Sequence, residues 1–127
     1  MLYCAVHEMD ERIGALGDVV APLDLAQATR EIAAAFGRGL RACAIVLMHG
    51  YRYPQHEQQL AALARKAGFT QISVSHEVSP LMKLVSRGDT TVADAYLSPV
   101  LRRYVDRISY IFVAFVIGAM WSSVKVR

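Results

Sequence analysis

The sequence predicts an α/β fold, in which a small mixed sheet with one βαβ unit is followed by a C-terminal helix and an apolar tail. Two apolar runs near the middle of the chain flank a stretch with helical spacing, which is the pattern of a βαβ unit. Of the 127 residues 54% are apolar and 20% charged. That much apolar surface supports a globular core, and this length accommodates one domain rather than two.

The first forty residues predict two strands and a helix. Residues 2–6 and 19–23 are short apolar runs separated by acidic residues and two glycines, as in strands joined by a loop. Asp24 directly precedes an apolar pattern at helical spacing, which indicates an N-cap, and Gly37 can end that helix. Its buried stripe is predicted to comprise Leu25, Ala28, Ile32, Ala35 and Phe36.

The middle of the chain predicts the βαβ unit. Residues 40–48 are almost uniformly apolar, as expected of a strand buried on both faces of a sheet. Pro54 suits the first turn of the next helix, which extends to Gly68, and residues 69–74 predict the second strand. A right-handed crossover makes the two strands parallel. The helix is expected to bury Leu60, Leu63, Ala64 and Ala67.

A long helix is predicted to begin at a cap formed by Thr90 or Thr91 and to run toward Ile108. Pro99 either kinks this helix or follows Ser98 as the cap of a second one. Its buried stripe is expected to contain Val100, Leu101, Tyr104, Val105 and Ile108.

Residues 108–124 are seventeen consecutive uncharged residues. This length is at the short limit of a membrane span, and a buried segment rich in β-branched and aromatic residues is the alternative.

Charge and cysteine content exclude several classes of protein. Residues 1–31 hold two basic and six acidic residues, whereas the remainder holds twelve basic and five acidic ones. The basic residues are spread along amphipathic stretches, and only Arg102, Arg103 and Arg107 cluster, so we expect no nucleic-acid partner. Two cysteines are too few for a disulfide scaffold, and the acidic N-terminal region does not resemble a signal peptide. A cytoplasmic location is expected, with membrane association through the tail as the alternative.

Polar residues follow both central strands. His49 follows the first strand, and His76 with Glu77 follows the second, so these side chains should emerge at the carboxyl edge of a parallel sheet, where ligands bind in open α/β folds. The alternative for His49 is that it fixes a loop together with Tyr51. His56 and Glu57 are interpreted as first-turn helix residues, with Glu57 complementing the helix dipole.

Two further site types have weak support. A metal site would need three of His49, His56, Glu57, His76 and Glu77 to converge, and their spacing matches no ligand motif, so no metal is expected. A triad of Ser75, His76 and Asp94 can be assembled, but no G-x-S-x-G motif accompanies it.

Arg87 lies in a polar cluster with Thr90, Thr91 and Asp94 at the predicted start of the long helix. A guanidinium near a helix N-terminus can clamp a carboxylate or a phosphate, and the alternative is an ion pair with a neighbouring carboxylate. The chain contains neither G-x-x-x-x-G-K-[ST] nor G-x-G-x-x-G, so it has no recognisable nucleotide-binding loop.

Residues 44–105 resemble the N-terminal half of the hydantoinase/oxoprolinase family, which includes ATP-dependent 5-oxoprolinases. The resemblance rests on matches in order along the chain: His49 and Tyr51; Pro54, His56 and Glu57; Ser75 and Glu77; Arg87, Gly88 and Thr90; Ala95, Tyr96 and Pro99. It implies an actin-like ATPase type of domain that uses ATP and Mg²⁺ to open the lactam of 5-oxo-L-proline to L-glutamate. Within such an enzyme we expect His49, Glu77 and Arg87 to lie near substrate or phosphate, because they lie at the carboxyl edge of the sheet or at a helix start.

The chain departs from the family pattern in two respects. The phosphate-binding loops of the family are missing, and residues 109–127 do not match the family's continuation. We therefore expect residues 1–108 to be part of the family's N-terminal domain, from a truncated or frameshifted reading frame, and to be inactive alone. The expected partner is the rest of an oxoprolinase polypeptide or a second copy. The rival hypothesis is a small membrane-associated or interaction protein that uses the apolar tail.

Overall fold

The computed structural model describes the backbone of residues 5–124 and the side chains of residues 5–109. The chain divides into two compact units, residues 1–96 and 97–127. Its elements, in order, are β1 (Arg12–Ile13), β2 (Val19–Ala21), α1 (Leu25–Gly37), β3 (Ala42–Ile45), α2 (Gln55–Ala67), β4 (Gln71–Val74), α3 (Ser75–Val78) and α4 (Leu84–Val124).

The described strands form two separate two-stranded sheets. β1 and β2 are antiparallel, whereas β3 and β4 are parallel, with Ala42 opposite Gln71 and Ile45 opposite Val74. The α/β class and the βαβ unit are therefore confirmed. The prediction of one mixed sheet is wrong for the described residues, because the antiparallel and parallel pairs share no strand.

The predicted first strand is not observed. Residues 2–4 lie outside the described part of the chain, and residues 5 and 6 have no regular secondary structure. Arg12 and Ile13 instead pair with β2, across a turn in which Gly17 has a φ of 92°. A positive φ of this kind favours glycine.

Helix α1 begins and ends where the sequence predicts. The Asp24 side chain accepts a hydrogen bond from the Gln27 N–H at 3.0 Å, which satisfies one of the free donors at the helix N-terminus. Ala28 and Ala35 are buried as expected. Leu25 is 50% exposed, so its assignment to the buried stripe is wrong. It is the first helical residue, at the end of the packed face.

The βαβ unit is shorter at its first strand than predicted. β3 covers only Ala42–Ile45, and Ile45 alone among its residues is buried. The other three residues of β3 are exposed or half-buried, so the predicted burial of this strand on both faces of the sheet is wrong. Helix α2 ends as predicted at Gly68, whose φ of 108° is left-handed and stops the helix.

The core lies between the two helices α1 and α2 and one face of the β3–β4 sheet. One cluster of buried residues contains Leu23, Ala28, Ile45, Leu60, Ala61 and Val74. A second contains Ala35, Ala64 and Phe69, and the Phe69 ring meets the edge of the Phe36 ring at 5.6 Å. Burial also raises the pKa of the Cys43 thiol, which packs beside both clusters, to about 11.

Helix α4 starts earlier than predicted, at Leu84. The hydroxyls of Thr90 and Thr91 donate to the carbonyls of Ser86 and Arg87, four residues before each, so neither threonine is a cap. Such back-bonding to the preceding turn is typical of threonine within a helix. Pro99 lies inside α4 rather than before a second helix.

The predicted buried stripe of the C-terminal helix is exposed. We call Leu97, Val100, Leu101, Tyr104, Val105 and Ile108 the α4 stripe, and their exposed fractions run from 46% to 63%. Their spacing is that of an amphipathic helix face, as predicted, but no described residue covers it. The side chains of residues 110–127, and with them most of the predicted tail, lie outside the described part. Among the residues described, no helix is both long and apolar enough to cross a membrane.

Candidate functional site

The carboxylate of Glu57 is the centre of the polar cluster at the carboxyl ends of β3 and β4. Glu57 lies in the first turn of α2 and is fully buried. Oε1 accepts hydrogen bonds from the Leu47 N–H at 2.8 Å and from the Ser75 hydroxyl at 2.5 Å. Oε2 accepts from the His76 N–H at 3.2 Å and from His76 Nδ1 at 2.7 Å. A single side chain therefore joins the ends of both parallel strands.

The loop after β3 passes close to this carboxylate. Gly50 is buried, and a Cβ added to it would collide with the Glu57 side chain. The loop is closed by hydrogen bonds from the Arg52 and Tyr53 N–H groups to the His49 carbonyl. Glycine at position 50 thus allows the backbone to pass over the Glu57 carboxylate.

His76 forms a carboxylate–histidine pair with Glu57. The Glu57 carboxylate offers only acceptor oxygens, so Nδ1 of His76 is the donor in this contact. The other ring nitrogen, Nε2, lies 3.8 Å from Oε1 of Glu77. The His76 side chain is 13% exposed and that of Glu77 is 64% exposed. A ring held in this way can accept a proton or a hydrogen bond at Nε2.

His49 lies where the sequence predicts, directly after β3, and it also fixes the loop. Its Nδ1 donates to the Ile13 carbonyl of β1 at 2.6 Å, and its side chain is half-buried. Both predicted roles of His49 are therefore compatible with its position, because its Nε2 makes no hydrogen bond within the described part of the chain.

Arg87 is fully buried and contacts the same edge. Its guanidinium donates to the backbone carbonyls of Leu47, Met48 and Leu81, and it lies 5.4 Å from the centre of the Tyr51 ring. Its Nε has no hydrogen-bond partner in the described structure. Arg87 therefore anchors the loop after β3 to α4 through backbone carbonyls. Among the described residues no carboxylate pairs with it, so the alternative of an ion pair with a neighbouring carboxylate is wrong.

A second polar group lies under the N-terminal part of α4. Ser73 donates to Oδ2 of Asp94 at 2.6 Å and accepts from Nε2 of Gln71 at 3.0 Å. Gln71, Ser73 and Ser75 alternate along β4 and its end, and all three are buried. One face of β4 is therefore polar and is linked to α4 by hydrogen bonds, whereas the opposite face packs into the apolar core.

The triad suggested by the sequence is not formed. Ser75 donates to Glu57, and Asp94 accepts from Ser73, so neither contact joins Ser75, His76 and Asp94 in a relay. His56 is also directed elsewhere: its Nδ1 pairs with Glu11 at 2.6 Å, with both side chains largely buried. Within the described residues, no group of three or more histidine, cysteine or acidic side chains could hold a metal ion.

The described residues also do not fit the phosphates of ATP. The glycines with positive φ, namely Gly17, Gly39 and Gly68, lie at separate turns rather than in one loop. The buried Arg87 already donates to three carbonyls. A phosphate cradle gathers several free backbone N–H groups at one point, commonly in a glycine-rich loop, and the described glycines with positive φ do not form such a loop.

Glu57 is the residue whose importance sequence reasoning missed. Its position in the first turn of α2 gave it an ordinary interpretation as a helix-dipole carboxylate. The available signal was the buried strand ends on either side: a carboxylate that starts a βαβ crossover helix lies near the ends of both strands. Ser73 and Asp94 were also not predicted as a pair, since they are 21 residues apart.

The chain matches a family model described as the hydantoinase/oxoprolinase N-terminal region over residues 1–68. It is 42% identical over 74 residues to the 5-oxoprolinase of Saccharomyces cerevisiae, covering 58% of this chain and 6% of that protein. It is 34% identical over 123 residues to 5-oxoprolinase 1 of Arabidopsis thaliana, covering 82% of this chain and 10% of that protein. The chain thus spans a tenth or less of the length of these relatives.

A solved structure shares both fold and sequence with this chain. The crystal structure of the ATP-dependent caprolactamase from Pseudomonas jessenii superposes with a TM-score of 0.78 and 36% sequence identity. The match covers 82% of this chain and 15% of that one.

Proposed function

Because the chain belongs to the hydantoinase/oxoprolinase family, we propose that it forms one edge of the catalytic cleft in an ATP-dependent hydrolase of cyclic amides. The reaction class comes from the activities for which its relatives, 5-oxoprolinase and ATP-dependent caprolactamase, are named. Opening of 5-oxo-L-proline to L-glutamate is one reaction of this class. The supporting observation lies at the carboxyl ends of two parallel strands, where α/β folds bind ligands: Glu57 binds His76 there, and Arg87 holds the loop that bears His49.

The residues proposed to lie near substrate or phosphate are His49, Glu77 and Arg87. His49 and Glu77 present half-buried and exposed polar side chains at this edge. Arg87 acts on this edge indirectly, since it donates hydrogen bonds to backbone carbonyls of the loop that bears His49. Removing Arg87 is therefore expected to displace the loop, whereas removing the exposed Glu77 side chain leaves the loop in place.

ATP and Mg²⁺ are proposed for the whole family protein and not for this chain alone. ATP supplies a phosphoryl group that activates an otherwise unreactive amide, and that chemistry needs a phosphate cradle and a metal. The described residues fit neither group, so we propose that both bind in other parts of the whole protein. We propose further that the domain is of the actin-like ATPase type and that the isolated chain hydrolyses neither ATP nor lactams.

The proposed partner is the remainder of a family polypeptide, and it would cover the α4 stripe. The six apolar residues of this stripe form one helix face, and a contiguous apolar face of this kind usually marks an interaction surface. The polar side of the same turns holds Arg102, Arg103 and Arg107, which suits a partner surface with acidic residues at its rim.

A chimera tests the proposed function. Residues 5–109 of this chain replace the corresponding segment of the Pseudomonas jessenii caprolactamase, and ATP-dependent lactam hydrolysis is measured. We expect the chimera to retain activity. His49→Ala and Glu77→Ala should each lower turnover without loss of folding, and Gln58→Ala, an exposed change on α2, serves as the control. A folded chimera with no activity contradicts the proposal.

A further inference from the structure

Only one of the two ring nitrogens of His76 makes a hydrogen bond within the described residues. Nδ1 is bound to the fully buried Glu57, which also accepts from the His76 N–H, so both backbone and ring are held by the same carboxylate. The contact of Nε2 with Glu77 Oε1 is 3.8 Å long, which exceeds hydrogen-bond length. No described residue donates a hydrogen bond to Nε2. With Nδ1 bound to Glu57, Nε2 is the oriented ring nitrogen that makes no hydrogen bond within the described residues.

The charges around His76 restrict what this lone pair can bind. Carboxylates lie on both sides of the ring, Glu57 at Nδ1 and Glu77 beside Nε2. An anion placed against Nε2 would meet like charge from Glu77. A metal ion would find too few convergent ligands among the described residues. The ligand group that fits is therefore a hydrogen-bond donor that carries no negative charge.

We propose that His76 Nε2 accepts the amide N–H of a cyclic amide, and that Glu57 is the positioning residue that holds the ring proton on Nδ1 and so leaves Nε2 as the acceptor. The proposal rests on the proposed function, since the lactam class comes from there. It assigns to His76 the recognition of a secondary lactam. An N-alkylated lactam has no N–H to donate, so it leaves Nε2 without a partner and loses that hydrogen bond. Any carboxylate on the substrate is placed away from His76.

The ring nitrogens can be read directly in the 127-residue chain by ¹⁵N nuclear magnetic resonance. The chain is titrated with 2-pyrrolidone and, as the matched ligand, with N-methyl-2-pyrrolidone. In the free chain near neutral pH we expect the proton on Nδ1 and a bare Nε2. We expect 2-pyrrolidone to shift the Nε2 resonance of His76 and to bind about ten-fold more tightly than the N-methyl compound, the effect of one hydrogen bond.

Variants and an internal control separate positioning from folding. Glu57→Gln leaves fewer acceptor oxygens for Nδ1, so we expect the His76 proton to be shared between both ring nitrogens and lactam binding to weaken. His76→Gln, which leaves Glu57 in place, should abolish the preference for the N–H lactam. His7, whose Nδ1 is bound in the same way to Glu31, lies outside this cluster, and its resonances should not move.

Three results overturn the inference: a proton on Nε2 in the free chain, no shift of that resonance with 2-pyrrolidone, or equal shifts with both lactams. Failure here is distinguishable from failure of the proposed function. An active chimera with no discrimination at His76 retains the reaction class and rejects the recognition role. An inactive chimera in which His76 still discriminates between the two lactams retains the recognition role and rejects the proposed reaction class.

Discussion

Ser75 donates its hydroxyl proton to Oε1 of Glu57 across 2.5 Å, and both side chains are fully buried. The bond joins the residue that follows β4 to the first turn of α2, 18 residues away along the chain. Since the same oxygen also accepts from the Leu47 N–H, the bond belongs to a network that holds both strand ends. The hydrogen bonds of this network therefore all end on one carboxylate.

Glu57→Ala is expected to lower the free energy of unfolding by about 3–5 kcal/mol. The change leaves four donors without their acceptor, namely the N–H groups of Leu47 and His76, the Ser75 hydroxyl and Nδ1 of His76. Urea denaturation followed by circular dichroism measures the effect. Glu77→Ala removes an exposed carboxylate shortly after the end of β4, and a change of less than about 0.5 kcal/mol is expected there. Equal effects of the two substitutions would show that Glu57 is not the centre of the network.

Gly50→Ala is expected to destabilise the chain by about 1–3 kcal/mol, because the added methyl group collides with the Glu57 carboxylate. The cost should shrink in a Glu57→Ala background, where the colliding atoms are gone, and a double-mutant cycle measures this coupling. Gly37→Ala, at the end of α1, meets no atom within 4 Å and should instead stabilise the chain slightly. If the effects of the two substitutions are additive, the cost of Gly50→Ala does not come from a collision with Glu57.

Ser73→Ala is expected to cost about 1–2 kcal/mol of unfolding free energy. The substitution removes the hydroxyl that donates to Asp94 and accepts from Gln71, so a buried amide loses its acceptor. Thr70→Ala is the control, because the Thr70 hydroxyl makes an exposed 3.2 Å hydrogen bond to the Arg41 carbonyl. Thermal unfolding of the two variants in parallel gives the comparison, and an equal loss in both would contradict the buried link between β4 and α4.

Cys43 is expected to react slowly with iodoacetamide near pH 8 and faster as the pH approaches 11. Burial raises its pKa to about 11 by disfavouring the charged thiolate, which is the nucleophile. The neutral thiol contributes stability that is fully present below its ordinary pKa and is lost as the pH rises through the folded value. A Cys4→Ser variant isolates this thiol, and the same chain in urea provides the unprotected rate. Equal rates at pH 8 with and without urea would contradict the burial.

The α4 stripe is expected to mediate association without stabilising the fold of the chain. Leu101→Lys and Val105→Lys replace residues that are 58% and 56% exposed, so the unfolding free energy should change by less than about 0.5 kcal/mol. Self-association, measured by analytical ultracentrifugation, should decrease. Asp106→Lys introduces the same side chain on the polar side of the helix and serves as the control. Unchanged association in both lysine variants would leave the stripe without a role as a contact surface.

The elements set by local signals could be predicted, and those set by distant contacts could not. Asp24 and Gly68 mark helix ends through their own backbone and side-chain chemistry, so both ends were correct. The start of α4 was misplaced because Thr90 and Thr91 are attractive caps in sequence, yet both bond back within a helix already formed. The burial of Arg87 depends on carbonyls some forty residues away, which no local pattern reveals.

The same limit applies to the site. That His49, His76 and Glu77 follow strands was readable from the apolar runs before them, because parallel strands deliver their ends to one edge. The pairing of His76 with Glu57 depends on how α2 crosses between those strands, so it emerged only from the fold. The sequence predicts only that Glu57 complements the helix dipole. It does not predict the four hydrogen bonds that this side chain accepts.

The contact between Arg87 and the loop after β3 also bears on the order in which parts of the chain fold. The guanidinium and the Leu47 carbonyl are 40 residues apart, so they meet only after the βαβ unit has closed and the first turns of α4 have formed. Contacts between distant segments form at an entropic cost that local helices do not bear. We therefore expect the α1–α2 core to assemble early and the binding edge to be completed last. In pulse-labelled hydrogen exchange, the loop amides that follow β3 should gain protection after those of α2.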